Sequence, residues 1–454
     1  MWTASHHEAP GVGPGIVLKP GGMSDQTNKI PPDSDLPMDA REAAYEQFVL
    51  DNLPRNYLGH FIHGMLGMTG FRLVNAPTFV PAYLHILSGS DTVVGLGLAL
   101  QQAGSVVSQI WGANLIEHRP SVMPIAMIMG ALMRVPILVM AAAGWVLDGP
   151  PLVITLLISL FFLGVFSGPQ RVTFQFLMAK VIPVRRRGRL QAWRNMTGGL
   201  IAAGLSYIAG RYLIDGHVLG NGYSATFLLA FFLTTAGLMV LRALMREPVP
   251  PSVRDAVPML TRIGEFPALL KGDRSFSDFL IVLCLANAGR IAGPFYIVYA
   301  AHVIHLDGAH IGLLSLAYLG ADTLANLVWG YLGDRTGFKK VMIGALILWI
   351  IATVILVQSD SPLPLFIAFF GLGAAQCGYL MASQTMVLEF GAREDIAMRL
   401  ALSGTVEGAL SALAPIAGGL LALSFGHAGL FYISILCEIL ALAMLARVVE
   451  PRRI

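Results

Sequence analysis

The stretch Val328-Trp329-Gly330-Tyr331-Leu332-Gly333-Asp334-Arg335-Thr336-Gly337-Phe338-Lys339-Lys340-Val341-Met342 sets three glycines, one aspartate and three bases between two long apolar runs. Those runs, 309–332 and 341–358, carry one charged residue short of the connection, Asp322. A helix needs roughly 20 apolar residues to cross about 30 Å of hydrocarbon. In lipid every backbone amide must be bonded internally, so two such runs joined by a short charged connection read as a transmembrane helical hairpin.

Working outward, the same arrangement occurs in the first half of the chain. Ile110-Trp111-Gly112 closes one apolar run as Val328-Trp329-Gly330 closes another, and a short charged loop followed by Val-Met comes after each (Val122-Met123, Val341-Met342). Arg189-Leu190 and Arg399-Leu400 likewise open runs in which Gly198 and Leu200 match Gly408 and Leu410 at the same offset. Two parallel repeats are the pattern of a rocking transporter that binds its substrate near the midplane between halves.

Composition agrees. Of 454 residues 55% are hydrophobic and 13% charged, against about 25% charged in a soluble domain, and the mean hydropathy is +0.68. The expected architecture is all-α, with about twelve transmembrane helices in two pseudo-symmetric six-helix halves. Spans are placed at 57–85, 92–116, 122–146, 152–182, 191–213 and 222–245, then at 276–304, 309–332, 341–358, 362–389, 399–424 and 427–448. This divides the chain into a disordered tail (1–38), an amphipathic interfacial helix (39–56), an N-terminal bundle (57–245), a linker (246–275), a C-terminal bundle (276–448) and a short tail (449–454). Asp39 and Glu42 have capping-box spacing at the start of the interfacial helix. The tail shows no apolar segment of the kind a cleaved signal peptide carries. Cys284, Cys377 and Cys437 fall inside apolar runs and read as small core residues.

Lys and Arg concentrate in alternate connections, as at Arg119, Arg185, Arg186, Arg187, Arg189, Arg335, Lys339 and Lys340, with Arg211 the main exception. The positive-inside bias therefore predicts both termini, the linker and the signature loop on the cytoplasmic side of an inner (plasma) membrane.

The segment Gly330 to Lys340 resembles the signature loop of the major facilitator superfamily, of the form G-x-L-x-D-R-x-G-R-K, at the position of that family's second copy. The first copy, Gly112-Ala-Asn-Leu-Ile-Glu117-His-Arg119, is eroded and lacks the Asp and the second Gly. Lys180 to Leu190, followed by Arg194-Asn195, is similar to the loop between the fourth and fifth spans of bacterial permeases of this superfamily. The resemblance covers about residues 57–448 and implies a twelve-helix carrier working by alternating access. Within it, Gly330, Asp334, Arg335, Gly337, Lys339 and Arg189 form a candidate cytoplasmic latch. The glycines would let helices approach, and Asp334 would accept from the start of the fifth span near Arg189 and Trp193. The plainer reading is a loop that sets topology by its positive charge alone.

Charges inside spans cost at least about 2.5–3.5 kcal/mol each and ask for a reason. Arg72 and Arg290 lie at equivalent depths of spans one and seven. Each has an asparagine three residues away (Asn75, Asn287), a proline beyond (Pro77, Pro294), and tyrosines after it, including Tyr296. Two arginines converging across the pseudo-twofold axis would make a fork for carboxylate or phosphate, which in this one respect resembles organic-phosphate antiporters. Arg171 and Gln175 would extend the basic surface. The competing reading is internal pairing, with Asp322 as partner of Arg290. For proton coupling Asp322 is the first candidate and Glu407 the second, while Arg134 and Glu438 read as structural. His60 and His63 read as ordinary interfacial histidines.

The expected function is secondary transport of a small organic anion, coupled to H⁺, by a monomer embedded in the bilayer. One alternative is a proton-driven exporter of amphipathic, drug-like compounds. Against it, the fifth span lacks the Gly-Pro-x-x-Gly-Gly element of the family's drug antiporters, and the related Ala414-Pro415-Ile416-Ala417-Gly418-Gly419 lies in span eleven. A non-transporting scaffold or receptor is the alternative of another class. No catalytic constellation, metal-ligand spacing, nucleotide-binding loop or nucleic-acid surface is legible, so neither an enzyme nor a cofactor is expected.

Overall fold

The computed structural model describes residues 37–116, 119–249, 270–390 and 396–449. The tail to residue 36, the side chains around the eroded first loop copy at 109–118, and residues 250–269, 391–395 and 450–454 lie outside the described residues.

The described residues form fourteen helices and no strand, in the order α1 (Met38–Asp51), α2 (Leu53–Asn75), α3 (Phe79–Ser88), α4 (Asp91–Ile116), α5 (Met123–Val146), α6 (Gly149–Val181), α7 (Val184–Ile208), α8 (Gly222–Leu244), α9 (Arg274–Gly289), α10 (Tyr296–Val303), α11 (Gly308–Thr336), α12 (Phe338–Val357), α13 (Pro362–Glu389) and α14 (Ile396–Leu445). Among the described residues eight helical stretches, α9 and α10 counted as one, are long and apolar enough to cross a membrane. One of these, α14, is two passes joined where Gly426 takes φ +69°, a conformation open to glycine without strain. Passes one and seven are each broken in two. Ala76 leaves the helix in an extended conformation before α3 begins, and a 3₁₀ segment, Arg290–Phe295, separates α9 from α10. Pro77 and Pro294 sit at these breaks because proline removes a helix hydrogen bond and crowds the preceding turn. Each half thus makes six passes.

Two boundaries differ from the sequence expectation. The first helix stops at Asp51, and the first pass already begins at Leu53. Asp39 does not cap α1: Pro37 holds the N-cap position without a side-chain bond, and Asp39 lies in the first turn, where its charge still favours the helix dipole. Tyr45 docks α1 by donating to the Lys180 carbonyl at 2.9 Å.

Both described ends meet at one face, here the terminal face. There Glu247 accepts from the backbone N–H groups of Val122 (2.7 Å) and Met123 (2.8 Å) and pairs with Lys180 Nζ at 2.7 Å. These bonds satisfy orphan donors at the start of α5. Lys339 donates to the Val448 carbonyl at 2.6 Å.

At the opposite, far face the two halves are locked together. Gly210, on a π-helical turn after α7, and Gly308, opening α11, cross so closely that a Cβ on either would meet the other's carbonyl oxygen. Asp215 caps α11 by accepting from Ala309 N–H at 2.8 Å. Asp91 lies 2.9 Å from His427 and 3.3 Å from His85, and Ser315 donates to Thr78 at 2.7 Å. Towards the terminal face the facing helices separate. Trp193 on α7 and Leu324, Leu327, Val328 and Tyr331 on α11 are exposed, as are Asp334 and Arg189. The bundle is closed at the far face and open at the terminal face.

Candidate functional site

Between the halves lies a cavity of about 580 Å³. The halves contribute Phe71, Asn75, Gln101, Gln170 and Arg171 on one side and Asn287, Arg290, Tyr318, Trp349 and Gln376 on the other. The helix break after Gly289 places Arg290 here. Its Nη1 donates to Asn287 Oδ1 at 3.3 Å, and its guanidinium lies 4.7 Å above the Tyr379 ring and 5.7 Å from that of Trp349. Asn287 is fixed in turn, donating to the Leu283 carbonyl (2.8 Å) and the Tyr379 hydroxyl (2.9 Å). Tyr379 donates to Glu407 at 3.4 Å. Aromatic faces hold a cation without neutralising it, and no carboxylate lies within 4 Å of Arg290 among the described residues. Arg171 is exposed towards the cavity and has no hydrogen bond or ion pair among the described residues. Among the described residues the cavity lining includes no Asp or Glu.

Arg72 is placed differently. Its Nη2 sits 2.6 Å from Asp322 Oδ2 and its Nη1 donates to Thr323 at 3.1 Å. It lines a neighbouring chamber. Arg290 thus shares the central cavity with Arg171, Arg72 lines the chamber beside it, and Asp322 pairs with Arg72 across the interface instead of with Arg290. The reason is packing. α11 lies along α7, and Gly199, where a Cβ would strike Thr323, lets this edge of α11 reach the end of α2.

Of the other expected residues, Asn75 accepts from Gln101 at 2.6 Å and Gln175 lines the neighbouring chamber. Tyr296 is almost wholly buried, its hydroxyl accepting from Trp349 Nε1 at 2.9 Å. In the loop, Gly330 faces open space, whereas a Cβ on Gly333 would strike Phe338 and Gly337 takes φ +87°. The close approach belongs to Gly333 and the turn to Gly337. Arg335 stacks on Tyr331 at 4.3 Å. Glu438 is 1% exposed and packs beside Gly289, its oxygens without hydrogen-bond partners among the described residues. Sequence reasoning named Gln175 but missed Gln101, Gln170 and Gln376 and the Trp349 and Tyr379 faces. Their available signal was polar or amphipathic groups inside otherwise apolar spans.

A helical bundle of twice six passes, with a polar cavity between halves that are shut at one face and open at the other, is the architecture of a membrane transporter. The sequence profile of the Major Facilitator Superfamily matches residues 57–289 and again 279–454, and the chain belongs to that family. The nucleoside transporter NupG, in a variant form, superposes with a TM-score of 0.69 over 86% of this chain and 99% of its own, at 13% identity. A D-xylose–proton symporter superposes with a TM-score of 0.68 over 88% and 99%, at 14% identity. Among curated proteins, Multidrug resistance protein MdtG of Salmonella typhimurium is 25% identical over 52% of this chain and 58% of its own length. Probable anion transporter 3, chloroplastic, of Arabidopsis thaliana is 30% identical over 24% and 21%. The chain thus spans less than two thirds of these curated relatives. It is a multi-pass membrane protein of that family.

Proposed function

We propose that the chain carries a small organic anion through the inner membrane, with the terminal face and both termini in the cytoplasm, and that proton exchange at Asp322 couples the cycle. The observation behind the anion is the sign of the cavity's lining: Arg171 and Arg290 face it, and no acid lines it among the described residues, the nearby Glu407 lying behind Tyr379. Guanidinium groups without a carboxylate in direct contact, in a partly desolvated site, favour carboxylate or phosphate. Aromatic and amide groups beside them suit a substrate with an organic body as well as an anionic end. The basic loops at the terminal face support the orientation. Asp322 supports coupling because its bond to Arg72 ties one half to the other, so a proton on the carboxylate releases the tie.

The experiment is uptake of anionic metabolites into proteoliposomes by a monodisperse protein. Arg171→Ala and Arg290→Ala each lower transport at least tenfold with the protein still folded, and Arg290→Lys recovers part of it. Full transport of an anion by both alanine variants refutes the assignment. A second reading, export of amphipathic compounds, draws on the likeness to MdtG and on Phe71, Met133, Leu163 and Trp349 in the lining. Resistance that persists in both arginine variants would favour it.

A further inference from the structure

On the terminal side of the central cavity is a chamber of about 380 Å³ whose walls come from α2, α5, α6 and α7. Its basic lining is Arg72, Arg134, Arg171 and Arg194, with His63 beside them, and no Asp or Glu lines it among the described residues. Of the four arginines only Arg72 has a carboxylate partner among the described residues, Asp322. Arg134 is 3% exposed; it donates to the Gly130 carbonyl and to that of Thr234 (2.6 Å), and its Nε has no partner. The side chains of Arg171 and Arg194 make neither hydrogen bonds nor ion pairs among the described residues. His63, 8% exposed, stacks on Phe174 at 4.5 Å with Nδ1 unpartnered, and His60, 1% exposed, has both ring nitrogens unpartnered.

The sequence shapes α2 to admit this charge. A Cβ at Gly64 would occupy the aliphatic arm of Arg194, so the glycine lets Arg194 cross the face of α2 and brings its guanidinium from α7 into the chamber. Positive groups brought together away from water repel one another and lose hydration, a cost that an anion with several acceptor oxygens offsets. Gln175 and Gln191, also in the lining, supply neutral donors.

We propose that this chamber is a second oxyanion site, on the terminal side of the central cavity and sharing Arg171 with it. It takes a phosphate, sulfate or carboxylate group, with Arg194 and Arg171 as direct donors and Arg134 as a fixed charge behind them. The group has two possible sources, a free inorganic anion or the anionic end of a substrate passing to or from the central cavity.

The test is thermal unfolding of the purified full-length protein in inorganic phosphate, against sodium chloride of equal ionic strength. Phosphate raises the Tm of the wild type and of Arg290→Ala, in which the central cavity is crippled, and leaves Arg194→Gln unmoved. Gly64→Ala, which displaces the Arg194 arm, behaves as Arg194→Gln does, and Arg194→Lys keeps part of the shift. Without phosphate, Arg194→Gln melts above the wild type by about 2–4 °C, because an uncompensated charge has been removed. Equal phosphate shifts in wild type and Arg194→Gln, no shift in the wild type, or an Arg194→Gln protein less stable than wild type without phosphate each overturn the proposal. A shift abolished by Arg290→Ala places the anion in the central cavity and overturns it too. The source is read by adding a transported anion: competition with phosphate in Arg290→Ala marks a stop on the substrate's route, and its absence marks a free-anion site. No arm requires the central-cavity reading to hold, so failure of one leaves the other standing.

Discussion

Breaking the Arg72–Asp322 pair should depopulate the conformation seen here. The pair joins α2 of one half to α11 of the other at 2.6 Å, with side chains 18% and 14% exposed, and Thr323 adds a bond at 3.1 Å. Removing one partner of a fully buried pair costs about 3–5 kcal/mol. Partial exposure and the screening that comes with it reduce this to about 1–2 kcal/mol, a five- to thirtyfold change in a two-state ratio. The cost falls on the state in which the halves meet at this level, so Arg72→Gln or Asp322→Asn moves the population towards closure of the terminal face. Spin labels at Trp193 and Tyr331, exposed on opposite halves near that face, would report it by pulsed dipolar spectroscopy, with Cys284, Cys377 and Cys437 replaced. Each single variant shortens the mean label distance. The double variant Arg72→Gln/Asp322→Asn shifts less than the sum of the singles, because each charge is harmful chiefly when the other is missing. Unchanged distributions in both singles, or strictly additive shifts, would refute the reasoning.

Other expectations follow from single contacts. Gly210→Val forces apart the crossing with Gly308, so accessibility of far-face cysteines to a membrane-impermeant reagent rises; unchanged labelling would contradict that role. Glu247→Ala leaves Lys180 and the start of α5 without their acceptor, lowering stability by about 2–4 kcal/mol, read as a drop in Tm that Glu247→Gln reduces only in part. Gly289→Ala drives a methyl into the Glu438 carboxyl; it lowers Tm, and Glu438→Ala in the same chain restores it, whereas no rescue would place the strain elsewhere.

Much of the architecture was legible because it rests on local rules. Length and polarity of the runs mark the passes, and the prolines at 77 and 294 mark the breaks in passes one and seven. The boundaries at Asp51 and Pro37 were less legible, since helix starts depend on backbone geometry that many residue choices satisfy. The site was legible in kind but not in pairing. Arg72 and Arg290 match in the repeat, and that symmetry invited the idea that they converge. It says nothing of which partner reaches each one. Asp322 meets Arg72 only because Gly199 lets α7 and α11 pack closely, a contact between residues more than a hundred positions apart. Arg194 was visible as a base of the loop, but its reach into the chamber depends on Gly64 of another helix.

The charges of the two halves bear on one another through Arg72. While Asp322 is ionised it neutralises Arg72, leaving Arg290 to the central cavity, Arg134 and Arg194 to the chamber beside it, and Arg171 between the two. A proton on Asp322 would free the Arg72 charge at the border of both spaces, since Arg72 lines the chamber and Asn75, one turn on, lines both. Binding of a proton to the carboxylate and of an anion to the arginines would then favour each other, and that mutual preference is reciprocal by thermodynamic necessity. It follows that Asp322→Asn, which fixes the neutral form, should bind the transported anion more tightly than the wild type at neutral pH, with less dependence on pH. The Arg72→Gln/Asp322→Asn double variant should lose that gain. Calorimetric titration of the three proteins decides it: tighter binding in the double variant than in Asp322→Asn would mean that the freed Arg72 charge is not what the anion feels.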